Sequence, residues 1–227
     1  MTDPHRIASA TADPAATADP AATNRAVRRR TPSQDRSRET FEAICAAAAE
    51  LIAESGITAL NTNAVAQRAG VSITAVYAYF PDKWAIVQEL FDRFERLRIE
   101  YLELAFANLQ TAADWREGLT AAWRALVRFR VEVPGGVALR KAVDATPRLG
   151  ELDRAWSDLA ARDFAAVIRA RRPETPEDEA YRVAWAATIV AGALLDDVCV
   201  TGEIDETKFE TAVRLMLGWF APYLDPG

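Results

Sequence analysis

Arginine offers the most chemistry in this chain, and it is concentrated. Arg25, Arg28, Arg29, Arg30, Arg36 and Arg38 share one short stretch with a single acid, Asp35. Guanidinium groups at that density suit the phosphates or the minor groove of a nucleic acid; the same composition also keeps a linker hydrated. Catalytic and metal chemistry has little material to work with. The only histidine is His5, and Cys45 and Cys199 sit apart in apolar runs. A Ser–His pair, a His-based metal site and a disulfide framework are therefore not expected, and neither is a cofactor. No glycine loop fit to cradle a phosphate accompanies them. The chain is expected not to be an enzyme.

These groups need a scaffold, and the composition points to helices. Half of the 227 residues are hydrophobic, glycine numbers only 10, and alanine and leucine dominate, which favours helix. The formal charge is −6 overall but uneven. Residues 25–84 carry eight bases against six acids, whereas residues 85–227 carry 18 against 24. Residues 1–24 are low-complexity, with a six-residue repeat in TADPAATADPAAT, and cannot bury an apolar core. The segment 1–32 is expected to be a disordered tail ending in the basic arm. It lacks the apolar stretch of a signal peptide, and no other segment is long and uncharged enough to span a membrane. The chain is expected in the cytoplasm, with no membrane partner.

The segment from Asn61 to Lys83, NTNAVAQRAGVSITAVYAYFPDK, positions the next set of polar groups. Asn61 suits an N-cap, Val65, Ala66 and Ala69 repeat at helical spacing, and Gly70 stops the helix. Val71 is an apolar plug, Ser72 caps again, and a second helix over 73–80 ends before Pro81. Helix, glycine turn, helix is the plan of a helix-turn-helix, whose second helix can enter the DNA major groove. Ahead of it, residues 33–55 predict a long helix with Phe41, Ile44, Cys45, Ala48, Leu51 and Ile52 on one stripe, ended at Ser55-Gly56.

Val65-Ala66, Ala69-Gly70-Val71-Ser72, Tyr77, Phe80 and Lys83 together resemble the DNA-binding domain of the TetR family of bacterial transcriptional regulators. The resemblance runs closely over residues 36–90 and beyond that only as a helical pattern. It implies that Ile73, Thr74 and Ala75 face base edges after the Ser72 cap. It places the hydroxyls of Tyr77 and Tyr79 on phosphates, with core packing as the alternative for each. Lys83, at the start of the next helix, can grip a phosphate together with free N–H groups. Thr62, Asn63 and Arg36 are further contacts. Ala78 and Trp84 depart from the family pattern, and Ile73 and Ala75 lack polar tips, so methyl contacts to thymine become part of the expected readout.

Residues 83–109 predict a long helix shared by both domains, with Val87, Leu90, Phe94, Leu97, Tyr101 and Leu104 on its buried face. Asp114 caps a helix to about Val131, Pro134-Gly135-Gly136 breaks it, and helices follow over 137–145 and 149–171. Trp115, Trp123, Phe129 and Trp156 can line an apolar effector cavity or form ordinary core. Arg124, Arg128 and Arg140 can meet an anionic head group or solvent. A helix opening at Thr175-Pro176 is apolar on two sides, the second carrying Trp185, Ile189, Gly192, Ala193 and Asp196. A final helix capped by Asp205 presents Leu217 and Trp219 beside its main apolar face. Two such helices from each subunit can build a four-helix dimer interface, where TetR-family proteins also dimerise. Asp196 either pairs with an arginine across that interface, or meets solvent or a cationic ligand.

The expected molecule is all-α. A three-helix DNA-binding domain over 33–82 precedes a helical ligand-binding and dimerisation domain over 83–227. By resemblance it is a homodimer on double-stranded DNA, a repressor released by an unidentified, largely apolar small molecule. An architectural or protein-regulated DNA binder and a helical enzyme are the alternative classes.

Overall fold

The computed structural model describes residues 35–200 and 202–225. The expected tail and repeat, Arg25 to Arg30 of the basic arm, and the predicted helix start at Ser33 lie outside the described residues. Among the described residues the chain forms nine α-helices and no strand. They are α1 (Asp35–Ala59), α2 (Thr62–Ala69), α3 (Ile73–Tyr79), α4 (Lys83–Thr111), α5 (Trp115–Glu132), α6 (Gly136–Lys141), α7 (Pro147–Arg171), α8 (Glu177–Val198) and α9 (Glu206–Leu224). A 3-10 turn, Val143–Ala145, separates α6 from α7, so the single helix predicted over 137–145 is two pieces.

Local chemistry explains the boundaries. The Asn61 side chain accepts from the Ala64 N–H at 2.9 Å and Ser72 Oγ from Ala75 at 3.1 Å, as side-chain caps do. Gly70 takes φ 65°, a conformation that penalises any Cβ, and Val71 N–H then closes on Ala66 O at 3.0 Å. Asp114 and Asp205 cap α5 and α9 as expected. Two further caps were not assigned from the sequence: Asp82 on Ala85 and Thr146 on Leu149. Helix α8 starts one residue later than its Thr175-Pro176 signal suggests, with Pro176 itself in the cap position and no side-chain cap.

In the N-terminal bundle, Phe41, Ile44, Cys45, Ala48 and Ile52 of α1 are all buried, with Val65 of α2, Val76 of α3 and Phe80 at the end of α3. The Phe41 and Phe80 rings stack 5.3 Å apart. The start of α4 belongs to this core through Ile86, Val87 and Leu90. Farther along, α4 packs against α5 and α7, while α7 and α8 form the most extensive helix pair, with α9 beside them.

The buried face of α4 differs from the predicted one. Leu97, Tyr101 and Leu104 are 43%, 51% and 67% exposed, while Glu89, Asp92, Glu95 and Arg98 are buried. Apolar periodicity selected Leu97, Tyr101 and Leu104 because the true inward stripe, Phe91, Glu95, Arg98, Leu102, Phe106, is interrupted by charge. The two bundles also meet at a corner. Gly135 has φ 76°, and a Cβ there would lie 3.1 Å from Ile52 Cγ2 and 3.2 Å from Ala49 O on α1. A Cβ on Gly136 would lie 2.5 Å from Arg130 O. The Pro134-Gly135-Gly136 break thus doubles as the seat of the C-terminal bundle on α1.

Candidate nucleic-acid interface and effector cleft

Helix α3 is held from one side. Val76, Tyr79 and Phe80 are buried, whereas Thr74, Tyr77 and Ala78 point outward and Ile73 and Ala75 are half-buried. The two tyrosines therefore divide. Tyr77 is 41% exposed and its hydroxyl lies 3.1 Å from Thr62 Oγ1, near the start of α2. Tyr79 is 5% exposed, packs edge-on to Phe41, and donates from its hydroxyl to Ser37 O at 3.0 Å while also meeting Ser37 Oγ at 2.7 Å. This corrects the expectation that Tyr79 offers its hydroxyl to a phosphate. Tyr79 took the core alternative because its ring fills the α1–α3 seam, and α1 already satisfies its polar end.

Thr62, Asn63, Ser72 and Arg36 remain at or near the surface around that outward row. Ser72 spends its hydroxyl on the cap. Lys83 donates weakly to Thr58 O at 3.5 Å and sits over the Trp84 ring at 5.2 Å. Trp84 at the unusual position is thus a cation–π partner for the lysine. Arg68 is not available to a phosphate: it grips Glu54 through two 2.8 Å bonds and reaches Glu50 at 3.1 Å. That clamp locks α2 to α1. Arg93 on α4 makes the corresponding clamp to Glu42 of α1, at 2.5 and 2.9 Å, and holds Glu89 at 3.0 Å.

Farther along α4 lies a largely buried ionic network. Arg98 Nε donates to Glu95 at 2.5 Å, and the other Glu95 oxygen accepts from Arg140 at 3.0 Å. Arg140 also holds Asp153 at 2.5 Å and Asp196 at 3.1 and 3.2 Å, and Asp196 in turn accepts from Arg130 Nε at 2.6 Å. Burial drives the Glu95 carboxyl upward, but Arg98 and Arg140 outweigh it and hold the group below its ordinary value. Asp196 behaves the same way, with Arg130 and Arg140 overcoming burial. Burial lowers Arg130, with Asp196 offsetting only part of that. Asp196 therefore pairs with arginines of its own chain, where the sequence leaves open an arginine across a dimer, solvent or a cationic ligand. Arg140 is committed to the network, Arg124 pairs with Glu206 over the Phe209 ring, and only Arg128 of the three keeps the exposure foreseen for it.

The network borders a narrow cleft of about 50 Å³, partly open to solvent, between α4, α5, α7, α8 and α9. Trp123, Leu102, Phe106, Phe164 and Phe220 line it, with Arg98 and Arg130 at one side. Of the four aromatic candidates, only Trp123 reaches this space. Trp115 is buried elsewhere and donates its indole N–H to Asp225 at 2.9 Å. Phe129 packs on Phe94 and Tyr101, and Trp156 is 3% exposed within the core. The arginines escaped the sequence reading because their neighbours in α4 and α5 look like an ordinary solvated face.

On the far side, Trp185, Ile189 and Val190 of α8 and Leu215 and Trp219 of α9 are 36–64% exposed, an apolar strip on two adjacent helices. Ala193 is exposed with them, Gly192 instead borders the cleft, and Leu217 packs partly on the core.

A three-helix N-terminal domain joined by a shared helix to an all-helical domain with its own cleft is the architecture of a class of helical transcriptional regulators. Comparison assigns the family. Residues 44–90 match the model of bacterial regulatory proteins of the tetR family, and residues 114–219 match that of the tetracyclin repressor-like C-terminal domain. The chain belongs to the TetR family of transcriptional regulators. Among similar solved structures, a TetR-family regulator from Streptomyces coelicolor is 26% identical at TM-score 0.59, over 83% of this chain and 99% of that one. A TetR-family regulator from Mesorhizobium loti is 19% identical at TM-score 0.65, over 84% and 99%. A transcriptional regulator from Saccharomonospora viridis, solved in complex with choline, is 21% identical at TM-score 0.59, over 82% and 97%. Among curated protein sequences none matches the chain significantly. No helix among the described residues is long and apolar enough to cross a membrane.

Proposed function

We propose that this regulator is a cytoplasmic homodimer that represses transcription from a near-palindromic operator and is released by a small molecule bound in the C-terminal cleft. The observation that carries the reading is the division of α3. Val76, Tyr79 and Phe80 anchor it to α1, and Thr74 and Tyr77 face outward. A rigid, single-sided helix of that kind suits a major groove. In this reading Thr62, Asn63, Tyr77, Lys83 and Arg36 meet phosphates around it, Ile73, Thr74 and Ala75 meet base edges, and Ser72 caps the helix at the DNA surface. Tyr79 acts from behind, as a support. The cleft favours effector control over a purely architectural role, since a ligand shifts the equilibrium by binding the released state better.

The test is an anisotropy titration against duplex DNA from upstream of the protein's own gene, beside a shuffled duplex, over a range of salt. The first duplex binds tightly and the shuffled one weakly. The double variant Tyr77→Phe, Lys83→Ala loses affinity for both, and its log K against log salt slope falls by about one for each phosphate contact removed. An unchanged slope removes both residues from the interface.

A further inference from the structure

One feature of the cleft is not required by packing. The Arg98 side chain is only 8% exposed, its Nε is committed to Glu95, and its Nη2 has no hydrogen-bond partner. A buried cationic donor left unbonded is costly. It borders a cleft whose lining includes a second arginine, Arg130, and no carboxylate. The nearest acids, Glu95 and Asp196, are turned into the ionic network behind the wall. The remaining lining is apolar, with Leu102, Trp123, Leu126 and Phe164 prominent.

We propose that the effector is an amphipathic organic carboxylate. Its apolar tail lies among those side chains, and its acid group accepts from Arg98 Nη2 with the Arg130 charge alongside. This deepens the reading of the C-terminal domain as the effector-binding half and rests on it. A carboxylate oxygen is a strong acceptor for an unbonded guanidinium N–H, whereas a cation would meet two positive charges and no acid. The arrangement also gives the ligand a way to be felt. Arg98 and Arg130 are linked through Glu95, Arg140 and Asp196, an open chain of ion pairs that joins α4, α6, α8 and α5. The carbonyl of Arg130 lies against Gly136, and the neighbouring Gly135 seats on α1. A new negative charge at the cleft edge competes with Glu95 for Arg98 and perturbs a chain of contacts that ends on the reading domain.

Calorimetric titration of the full-length protein with octanoate, octan-1-ol and octyltrimethylammonium, all below micelle-forming concentrations, tests this. Octanoate binds about tenfold more tightly than octanol, as one charge-assisted hydrogen bond provides, and the ammonium binds more weakly than either. Arg98→Met brings octanoate down to the level of octanol and leaves octanol unchanged. Ala191→Phe, which fills the cleft from α8, abolishes binding of both. Should Arg98→Met lose its helical circular dichroism, the ligand ranking and Ala191→Phe decide alone. Equal binding of octanol and octanoate, preference for the ammonium, no binding of any probe, or undiminished octanoate affinity in a folded Arg98→Met or in Ala191→Phe overturns the proposal. No DNA is present in this experiment, so its failure and a failure to bind an operator are separate results.

Discussion

Glu95 is fully buried and still holds its charge, because arginines of three helices converge on it. Its ordinary value is 4.5 and its folded value is lower, so the folded protein binds that proton more weakly than the unfolded chain does. The stability this provides is complete above about pH 4.5 and is lost as pH falls through the folded value. Removing one member of a buried charge network costs about 3–5 kcal/mol. Glu95→Gln is therefore expected to be destabilised by about that much at neutral pH, with the gap to the parent protein narrowing below pH 4.5. Urea unfolding of both proteins on either side of that pH checks it; a constant gap would show that Glu95 is not the titrating partner. At this scale the sequence was half legible. Tyr77 and Tyr79 have the same side chain two residues apart, and only the position of Phe41 and Ser37 on a distant stretch decides which one is core. Arg98 and Arg130 were not legible at all, because a buried charge resembles a solvated one until its partners on other helices are known.

Elements were easier to read than residues. The caps of α2, α3, α5 and α9 lie where Asn61, Ser72, Asp114 and Asp205 announce them, since a cap is a local bargain between one side chain and the next turn. The orientation of α4 was misread because a helix face is chosen by its neighbours, and charged residues can win the inside when several bring complementary partners. The Pro134-Gly135-Gly136 corner reads in sequence only as a break. In the fold it is a contact, and Gly136→Ala forces a Cβ to within 2.5 Å of Arg130 O unless the backbone moves. The expected cost is about 1–3 kcal/mol, as for overpacked sites generally. Because α6 also seats against α1, we expect Gly136→Ala to change operator affinity in the absence of ligand as well as the melting temperature. Anisotropy and thermal unfolding on the same sample measure both, and a loss of stability with wholly unchanged DNA binding would show that the corner does not communicate.

At the scale of the whole molecule, two observations fit a dimer of regulators. An apolar strip on α8 and α9 is left uncovered, and Trp185 within it is 50% exposed. Trp185→Arg places an unpartnered charge at a desolvated contact and is expected to yield monomers by sedimentation velocity with little change in monomer helicity. A dimer that persists would move the interface off this strip, for which Leu97, Tyr101 and Leu104 on α4 provide the other exposed apolar row. A second apolar face on α8 was legible in outline, because small and aromatic residues on two sides of one helix require two coverings. The arginine partners of Asp196 were not legible, since they lie on α5 and α6 of its own chain.

The two cysteines lend the molecule something else. Cys45 lies 2% exposed in α1 of the reading domain, Cys199 lies 1% exposed at the end of α8, and neither forms a disulfide. A thiol reagent reaches either one only when its own bundle opens. Each half of the molecule therefore carries its own clock, and the two alkylation rates, timed side by side, separate a regulator whose halves breathe together from one in which the sensing half loosens while the reading half stays shut.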